Sequence, residues 1–137
     1  MIQYFAEEIS LPSFNQQFIT RWIKAVAQDY NKKTGDISYI FCNDQRILEI
    51  NNKYLQHDYF TDIITFDYSE KSIISGDIFI SVDTVNSNAS ELGISFEKEL
   101  ERILIHGILH LCGQDDYTPD LRKEMTHKEN LALEKLK

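Results

Sequence analysis

The feature that most constrains the fold is an apolar run near the C-terminus that carries two histidines. It extends from Arg102 to Tyr117 and reads R-I-L-I-H-G-I-L-H-L-C-G-Q-D-D-Y. His106 and His110 are four residues apart, so on an α-helix their imidazoles share one face. The run is apolar on most sides, which is typical of a central, buried helix. Gly113 predicts the end of this helix.

Two histidines on one helical face, followed at once by carboxylates, predict a divalent-metal site. A zinc site that performs chemistry needs three protein ligands and an open position for water. Asp116 is the predicted third ligand beside His106 and His110, and Asp115 is the alternative. The competing interpretation is a buried helix that happens to hold two histidines.

Two known metal chemistries share part of this pattern. Peptidases with an H-E-x-x-H helix use the glutamate after the first histidine as general base. Gly107 occupies that position here, so a peptidase would lack its proton acceptor. The non-haem iron set of two histidines and one carboxylate matches in ligand type if Asp116 binds, but nothing else in the sequence suggests oxygen chemistry. An open position on the metal would let it lower the pKa of a bound water and generate a nucleophile near neutral pH.

The rest of the chain predicts an α+β fold in a single domain over residues 1–137. Stretches rich in β-branched and aromatic residues predict strands at 2–5, 36–42, 60–68 and 76–82. Helical periodicity and capping residues predict helices at 13–33, 43–55, 83–93, 95–113 and from 118 onward. We expect a small mixed sheet of about four strands, packed with about five to six helices, with the metal site on a central helix and the following loop. The last two strands should pair antiparallel.

Two further predictions concern the first and the last helix. Gly35 is expected to end the first helix. The last helix is expected to bury its apolar side chains, Leu121, Met125, Leu131, Leu133 and Leu136.

Composition limits the functional classes. The formal charge of −8 argues against broad affinity for nucleic acids, because phosphate binding normally needs an excess of lysine and arginine. No apolar run approaches the roughly 20 residues that span a bilayer. The first residues do not resemble a signal peptide, and the two cysteines suit a reduced compartment. We expect a cytoplasmic monomer with no membrane association and no organic cofactor.

Several segments match one family pattern. The run from His106 to Asp116 is similar to H-G-x-L-H-L-x-G-(Y/F)-D-H. Residues 51–55 and 60–66 are similar to N-x-x-Y-R followed by P-T-D-V-L-S-F, residues 76–78 match a G-D-I strand start, and residues 125–129 match M-x-x-x-E. From about residue 35 to its end, the chain resembles the YbeY-type metal-dependent endoribonucleases, also described as ribosomal RNA maturation factors.

This resemblance implies an α+β fold with zinc bound between a helix and a loop, one ion per chain. It implies cleavage of single-stranded RNA, tied to 16S rRNA 3′-end processing, late 30S assembly or ribosome quality control. The implied partners are rRNA and small ribosomal subunit proteins.

Two departures from the family pattern bear on the chemistry. Asp116 stands where the family has its third histidine, and this harder ligand set admits nickel, manganese or iron beside zinc. Leu55 stands where the family has an arginine thought to serve RNA binding or catalysis. His57, Lys53 and Arg102 are the candidates to replace that arginine. The alternative for His57 is a plain surface residue. The Leu55 departure favours an alternative function, a non-catalytic or weakly catalytic ribosome-assembly factor with a structural metal.

Overall fold

The fold is a mixed sheet of four strands with five helices, within residues 1–55 and 61–136, which the computed structural model describes. In chain order the elements are β1 (Ile2–Ala6), α1 (Gln16–Asp29), β2 (Lys33–Cys42), α2 (Asp44–Leu55), β3 (Ile63–Asp67), β4 (Ile73–Ser81), α3 (Val82–Leu92), α4 (Phe96–Leu111) and α5 (Pro119–Glu134). The predicted α+β class is confirmed.

The sheet has the strand order β1-β2-β4-β3. β1 and β4 both pair parallel with β2, while β3 pairs antiparallel with β4, as predicted for these two strands. Alternate side chains of β2 are fully buried, namely Ile37, Tyr39 and Phe41. That alternation is the period of a strand that packs one face against a core, and here the core lies between the sheet and the helices.

The predicted limits of the first helix are wrong at both ends. Asn15 caps α1 through its side chain, which accepts a hydrogen bond from the Phe18 amide. The helix ends at Asp29, and Asn31 adopts a positive φ of 59°, a conformation that stops a helix. Lys33 already donates its amide to the Ser72 carbonyl, so the chain enters the sheet before Gly35.

The histidine-bearing helix α4 is central, as predicted. Ser95 caps it by accepting a hydrogen bond from the Lys98 amide. Apolar side chains that are at most 2% exposed cover most of its circumference: Leu100, Ile103, Leu104, Ile105, Ile108 and Leu109. Tyr39 of β2 donates its hydroxyl to the Leu104 carbonyl at 2.8 Å, which fixes the helix on the sheet.

Gly107 lets α4 approach the sheet closely. A Cβ at this position would lie 3.0 Å from Ile78 Cδ1 and 3.2 Å from Ile63 Cδ1. The residue after the first histidine therefore faces the packed interior, and a glutamate there would be buried among apolar side chains. Packing thus explains why the H-E-x-x-H arrangement does not fit this helix.

No helix in the described ranges combines the length and the apolar character that crossing a bilayer requires.

Gly76 of β4 offers a test of how closely β3 approaches β4. An added Cβ would lie 2.3 Å from the Phe66 carbonyl oxygen, so alanine must displace the β3 backbone. We expect Gly76→Ala to lower the free energy of unfolding by about 3 kcal/mol or more. Gly93→Ala is the control, because its Cβ meets nothing within 4 Å and only its positive φ costs about 1–2 kcal/mol. Urea unfolding measures both, and equal losses would contradict the close approach.

Candidate metal centre

The loop after α4 returns a carboxylate to the two histidines. The Gly113 amide bonds to the His110 carbonyl and the Gln114 amide to the Leu109 carbonyl, which closes the last turn of the helix. Gly113 has a φ of 102°, a conformation that glycine adopts without strain. The chain then reverses, and Asp116 comes to lie over the helical face that carries the histidines.

His106, His110 and Asp116 form one group of potential metal ligands. Asp116 Oδ2 lies 3.3 Å from His106 Nε2 and 3.4 Å from His110 Nε2. One ligand atom of each residue lies within 4.8 Å of the others. Metal–ligand bonds of about 2.0–2.1 Å in a tetrahedral site place neighbouring ligand atoms roughly 3.3 Å apart. The three residues therefore fit a divalent metal ion.

The distances from Asp116 to the two histidines fit a metal site better than they fit direct hydrogen bonds. A charge-assisted N–H···O bond is about 2.7–2.9 Å long, whereas both distances to Asp116 Oδ2 are 3.3 Å or more. The side chains of His106, His110 and Asp116 are 16%, 25% and 36% exposed. One side of the group is thus open, as a site with a position for water or substrate requires.

Asp115, the predicted alternative ligand, is exposed and is not among the three grouped residues. Its backbone carbonyl accepts a hydrogen bond from the Gln114 side chain at 2.8 Å. The loop geometry therefore favours Asp116 as the third ligand.

The candidates for the family arginine have different surroundings. His57 lies outside the described residues, as does the side chain of Leu55. Arg102 lies one turn before His106, and its Nε and Nη2 donate to Glu99 at 2.9 and 2.6 Å. Its Nη1 donates to Glu129 Oε1 at 3.3 Å. Arg102 thus bridges two buried carboxylates, and its predicted contact with phosphate stays a prediction.

Glu129 of α5 is a site residue that the sequence analysis missed. Its side chain is 3% exposed, and Oε2 lies 2.5 Å from His106 Nδ1.

The buried stripe of α5 consists of Met125, Glu129 and Ala132, whereas Leu131 is 49% exposed, against the prediction. These buried positions follow the i, i+4, i+7 spacing of one helical face. The M-x-x-x-E match could have indicated that Glu129 is buried, because it places this glutamate on the same helical face as a core methionine.

Asp62 and Asn88 extend this polar network. The Asn88 side-chain amide donates to Asp62 Oδ2 at 3.3 Å and to Glu99 Oε2 at 3.4 Å. Burial raises the pKa of the Asp62 carboxyl, and the charges of His106 and Arg102 offset this only in part. Asp62, which directly precedes β3, therefore meets residues of α3, α4 and α5 beside the candidate ligands.

The pKa values of the two histidines shift in opposite directions. Burial lowers the pKa of His106, but the hydrogen bond and charge of Glu129, with the charges of Asp116 and Asp62, outweigh it and raise the pKa overall. Burial and the charge of His106 lower the pKa of His110, and the nearby aspartates offset this only in part. Without metal, the pair thus takes up its first proton on His106. Metal binding must displace that proton, so affinity falls as the solution is acidified.

Cys112 follows the last turn of α4 but is not a member of the ligand group. Burial raises the pKa of Cys112 to about 11 and that of Cys42 to about 12. Compared with a free cysteine of pKa about 8.5, the Cys112 thiolate fraction near neutral pH is lower by a factor on the order of 10². We expect slow alkylation by iodoacetamide at neutral pH and rapid alkylation in urea. A rate equal to that of glutathione in the folded protein would contradict these pKa shifts.

Comparison with known proteins gives one consistent result. The family described as Endoribonuclease YbeY matches residues 2–137. A protein of that name from Parabacteroides distasonis is 58% identical over 132 residues, which cover 96% of this chain and 93% of the relative. The one from Bacteroides thetaiotaomicron is 51% identical over 132 residues and 96% of each chain.

A solved structure shares the fold. The solution structure of a Thermotoga maritima protein superposes with a TM-score of 0.66 at 28% identity, covering 98% of this chain and 87% of the other. The family match over residues 2–137 and the 58% identity to the Parabacteroides distasonis protein show that the chain belongs to the Endoribonuclease YbeY family.

Proposed function

We propose that this chain is a metal-dependent endoribonuclease that cleaves single-stranded RNA. Membership of an endoribonuclease family supports the reaction class. The observation that carries the metal dependence is the position of Asp116 Oδ2, at 3.3 and 3.4 Å from the Nε2 atoms of His106 and His110. Among the described residues, these three are the only group of three or more His, Cys, Asp or Glu side chains whose ligand atoms could hold one metal ion.

The three side chains have separate tasks in this proposal. His106 and His110 offer neutral nitrogen donors from a rigid helix, and Asp116 closes the site from the loop. A divalent metal held there would supply an activated water and offset the negative charge that develops at phosphorus. Zinc is the preferred ion, while the oxygen of Asp116 admits nickel, manganese or iron. The partial exposure of all three side chains lets a phosphodiester approach.

The local charge also bears on RNA binding. The chain carries a formal charge of −8, and near the histidines Arg102 is already paired with Glu99 and Glu129. A bound cation would therefore supply positive charge where a phosphate must come close. We infer that RNA binding depends on the metal more strongly than in a protein with a basic cleft.

We propose rRNA as the substrate and small ribosomal subunit proteins as partners. The proposed process is 16S rRNA 3′-end processing, with roles in late 30S assembly and ribosome quality control, and the proposed location is the cytoplasm. The support is the set of family segments that the chain carries from residue 51 to residue 129, together with the family match over residues 2–137.

Cleavage of a single-stranded rRNA fragment by metal-loaded protein tests the activity. His110→Ala should abolish cleavage, because the site keeps only two of its three ligands. His127→Ala is the matched control, since His127 is exposed on α5, and it should cleave like the unmodified protein. A duplex of the same sequence should be cut far more slowly.

The alternative is a ribosome-assembly factor with a structural metal, which Leu55 favours because leucine cannot hold a phosphate. It predicts equal background cleavage by His110→Ala and the unmodified protein, with ribosome binding intact. That result would overturn the endoribonuclease proposal.

A further inference from the structure

We propose that Glu129 is a positioning residue that selects the tautomer of His106 that can bind a metal. Its carboxylate holds the proton of the neutral ring on Nδ1, so that Nε2 presents a free lone pair to the ion. This inference rests on the proposed metal site and adds a residue from α5, an element that contributes no ligand.

Glu129 can only act as an acceptor in its two contacts. Oε2 lies 2.5 Å from His106 Nδ1, and Oε1 accepts a hydrogen bond from Arg102 Nη1 at 3.3 Å. An ionised carboxylate has no proton to donate, and neutral imidazole has one N–H. The Nδ1 atom must therefore carry that proton. His106 Nε2, which lies 3.3 Å from Asp116 Oδ2, is left with its lone pair exposed to the site.

Two further residues hold Glu129 in place. Arg102 donates to Glu129 through one nitrogen and to Glu99 through two others. The Glu99 side chain is fully buried and that of Glu129 is 3% exposed, so water cannot readily replace either partner. A metal-binding histidine commonly donates its second ring N–H to a carboxylate, and losing that carboxylate lowers metal affinity about 10–100-fold. Arg102 therefore acts on the site through Glu129.

The substitution Glu129→Gln changes the hydrogen-bonding capacity of this side chain while nearly keeping its size and shape. Glutamine offers one acceptor oxygen and one NH₂ group, whereas His106 and Arg102 both need an acceptor. Arg102 has only donors and cannot change, so we expect the amide oxygen to face it. The NH₂ group then points at His106 Nδ1, and the ring proton moves to Nε2. Nε2 then has no free lone pair with which to bind the metal.

The first measurement is the ¹⁵N chemical shift of the His106 ring nitrogens in metal-free protein, at alkaline pH where the ring is neutral. The unmodified protein should show the proton on Nδ1, and Glu129→Gln should show it on Nε2. Zinc affinity, measured by competition with a chromophoric chelator, should fall about 10–100-fold in Glu129→Gln. Glu134→Gln, exposed on the same helix, is the control and should match the unmodified protein in both measurements.

A double variant distinguishes positioning from general damage to the fold. In Arg102→Met with Glu129→Gln, the amide oxygen is free to face His106. The proton should return to Nδ1 and part of the lost affinity should recover, although the fold loses an ion pair. A merely structural role for Glu129 predicts a further loss instead.

The inference is overturned if metal-free unmodified protein carries the proton on Nε2, a result that does not depend on any variant folding. It is equally overturned if Glu129→Gln keeps the Nδ1 proton and the original affinity. If the unmodified protein shows the Nδ1 proton but binds no zinc, the proposed function fails while the hydrogen-bond assignment stands.

Discussion

Replacing Glu99 by alanine is expected to lower the free energy of unfolding by about 1–3 kcal/mol, the usual cost of leaving buried hydrogen-bond donors without their acceptor. The Glu99 side chain is fully buried and accepts both Arg102 Nε and Arg102 Nη2, at 2.9 and 2.6 Å. It also accepts the Asn88 amide at 3.4 Å. Without the Glu99 carboxylate, the Arg102 and Asn88 donors have fewer acceptors in a partly buried region. A buried donor without an acceptor costs more free energy than a typical hydrogen bond contributes to stability.

Glu97→Ala is the matched control for this prediction. Glu97 lies in the first turn of the same helix and is exposed. Its removal should cost about 0.3–1 kcal/mol, through the helix dipole alone. Urea unfolding of both variants gives the comparison. If Glu99→Ala were no more destabilising than Glu97→Ala, the network that links Asn88, Arg102 and Glu129 would not contribute to stability.

The second large effect concerns the third ligand. We expect Asp116→Ala to weaken zinc binding by a factor on the order of 10² or more, because even the loss of a residue behind a ligand costs about 10–100-fold. Asp115→Ala should lower the affinity far less, since Asp115 is exposed and outside the ligand group and acts on His110 only through its charge. Competition with a chelator measures both variants. A larger loss in Asp115→Ala would reverse the assignment of the ligand.

Asp116→His tests the chemistry of the ligand set at the same position. Three nitrogen donors form a softer set than two nitrogens and an oxygen, so zinc should gain over manganese. Manganese should instead compete better in the unmodified protein. The ratio of the two affinities, measured in both proteins under the same conditions, reports this directly. An unchanged ratio would mean that residue 116 does not contact the metal.

Local sequence patterns were sufficient for much of the fold and for two of the candidate ligands. Ser95 as the cap of α4, the apolar surface of that helix and the antiparallel pairing of β3 with β4 follow from short-range signals. His106 and His110 share a face because of their spacing alone. Asp116 required only that the loop after Gly113 turn back, which glycine makes easy.

The remaining features depend on contacts between distant parts of the chain. The periodicity of α5 allowed several buried faces, and only its packing shows that Glu129 meets α4 while Leu131 faces outward. Arg102 was a candidate phosphate contact in the sequence, but it pairs with Glu99 and with Glu129, which is 27 residues away. The end of α1 depends on the positive φ of Asn31 and on the pairing of Lys33 with β4. These arrangements are decided by tertiary packing.

The most direct test of the proposed metal-dependent nuclease is the rate of single-stranded RNA cleavage as zinc is added back to metal-stripped protein. We expect no cleavage without metal, followed by a rise that reaches its plateau at one ion per chain. The same titration of His110→Ala should stay flat. Undiminished cleavage by the stripped protein, or a rise that His110→Ala reproduces, would contradict an endoribonuclease site built from His106, His110 and Asp116.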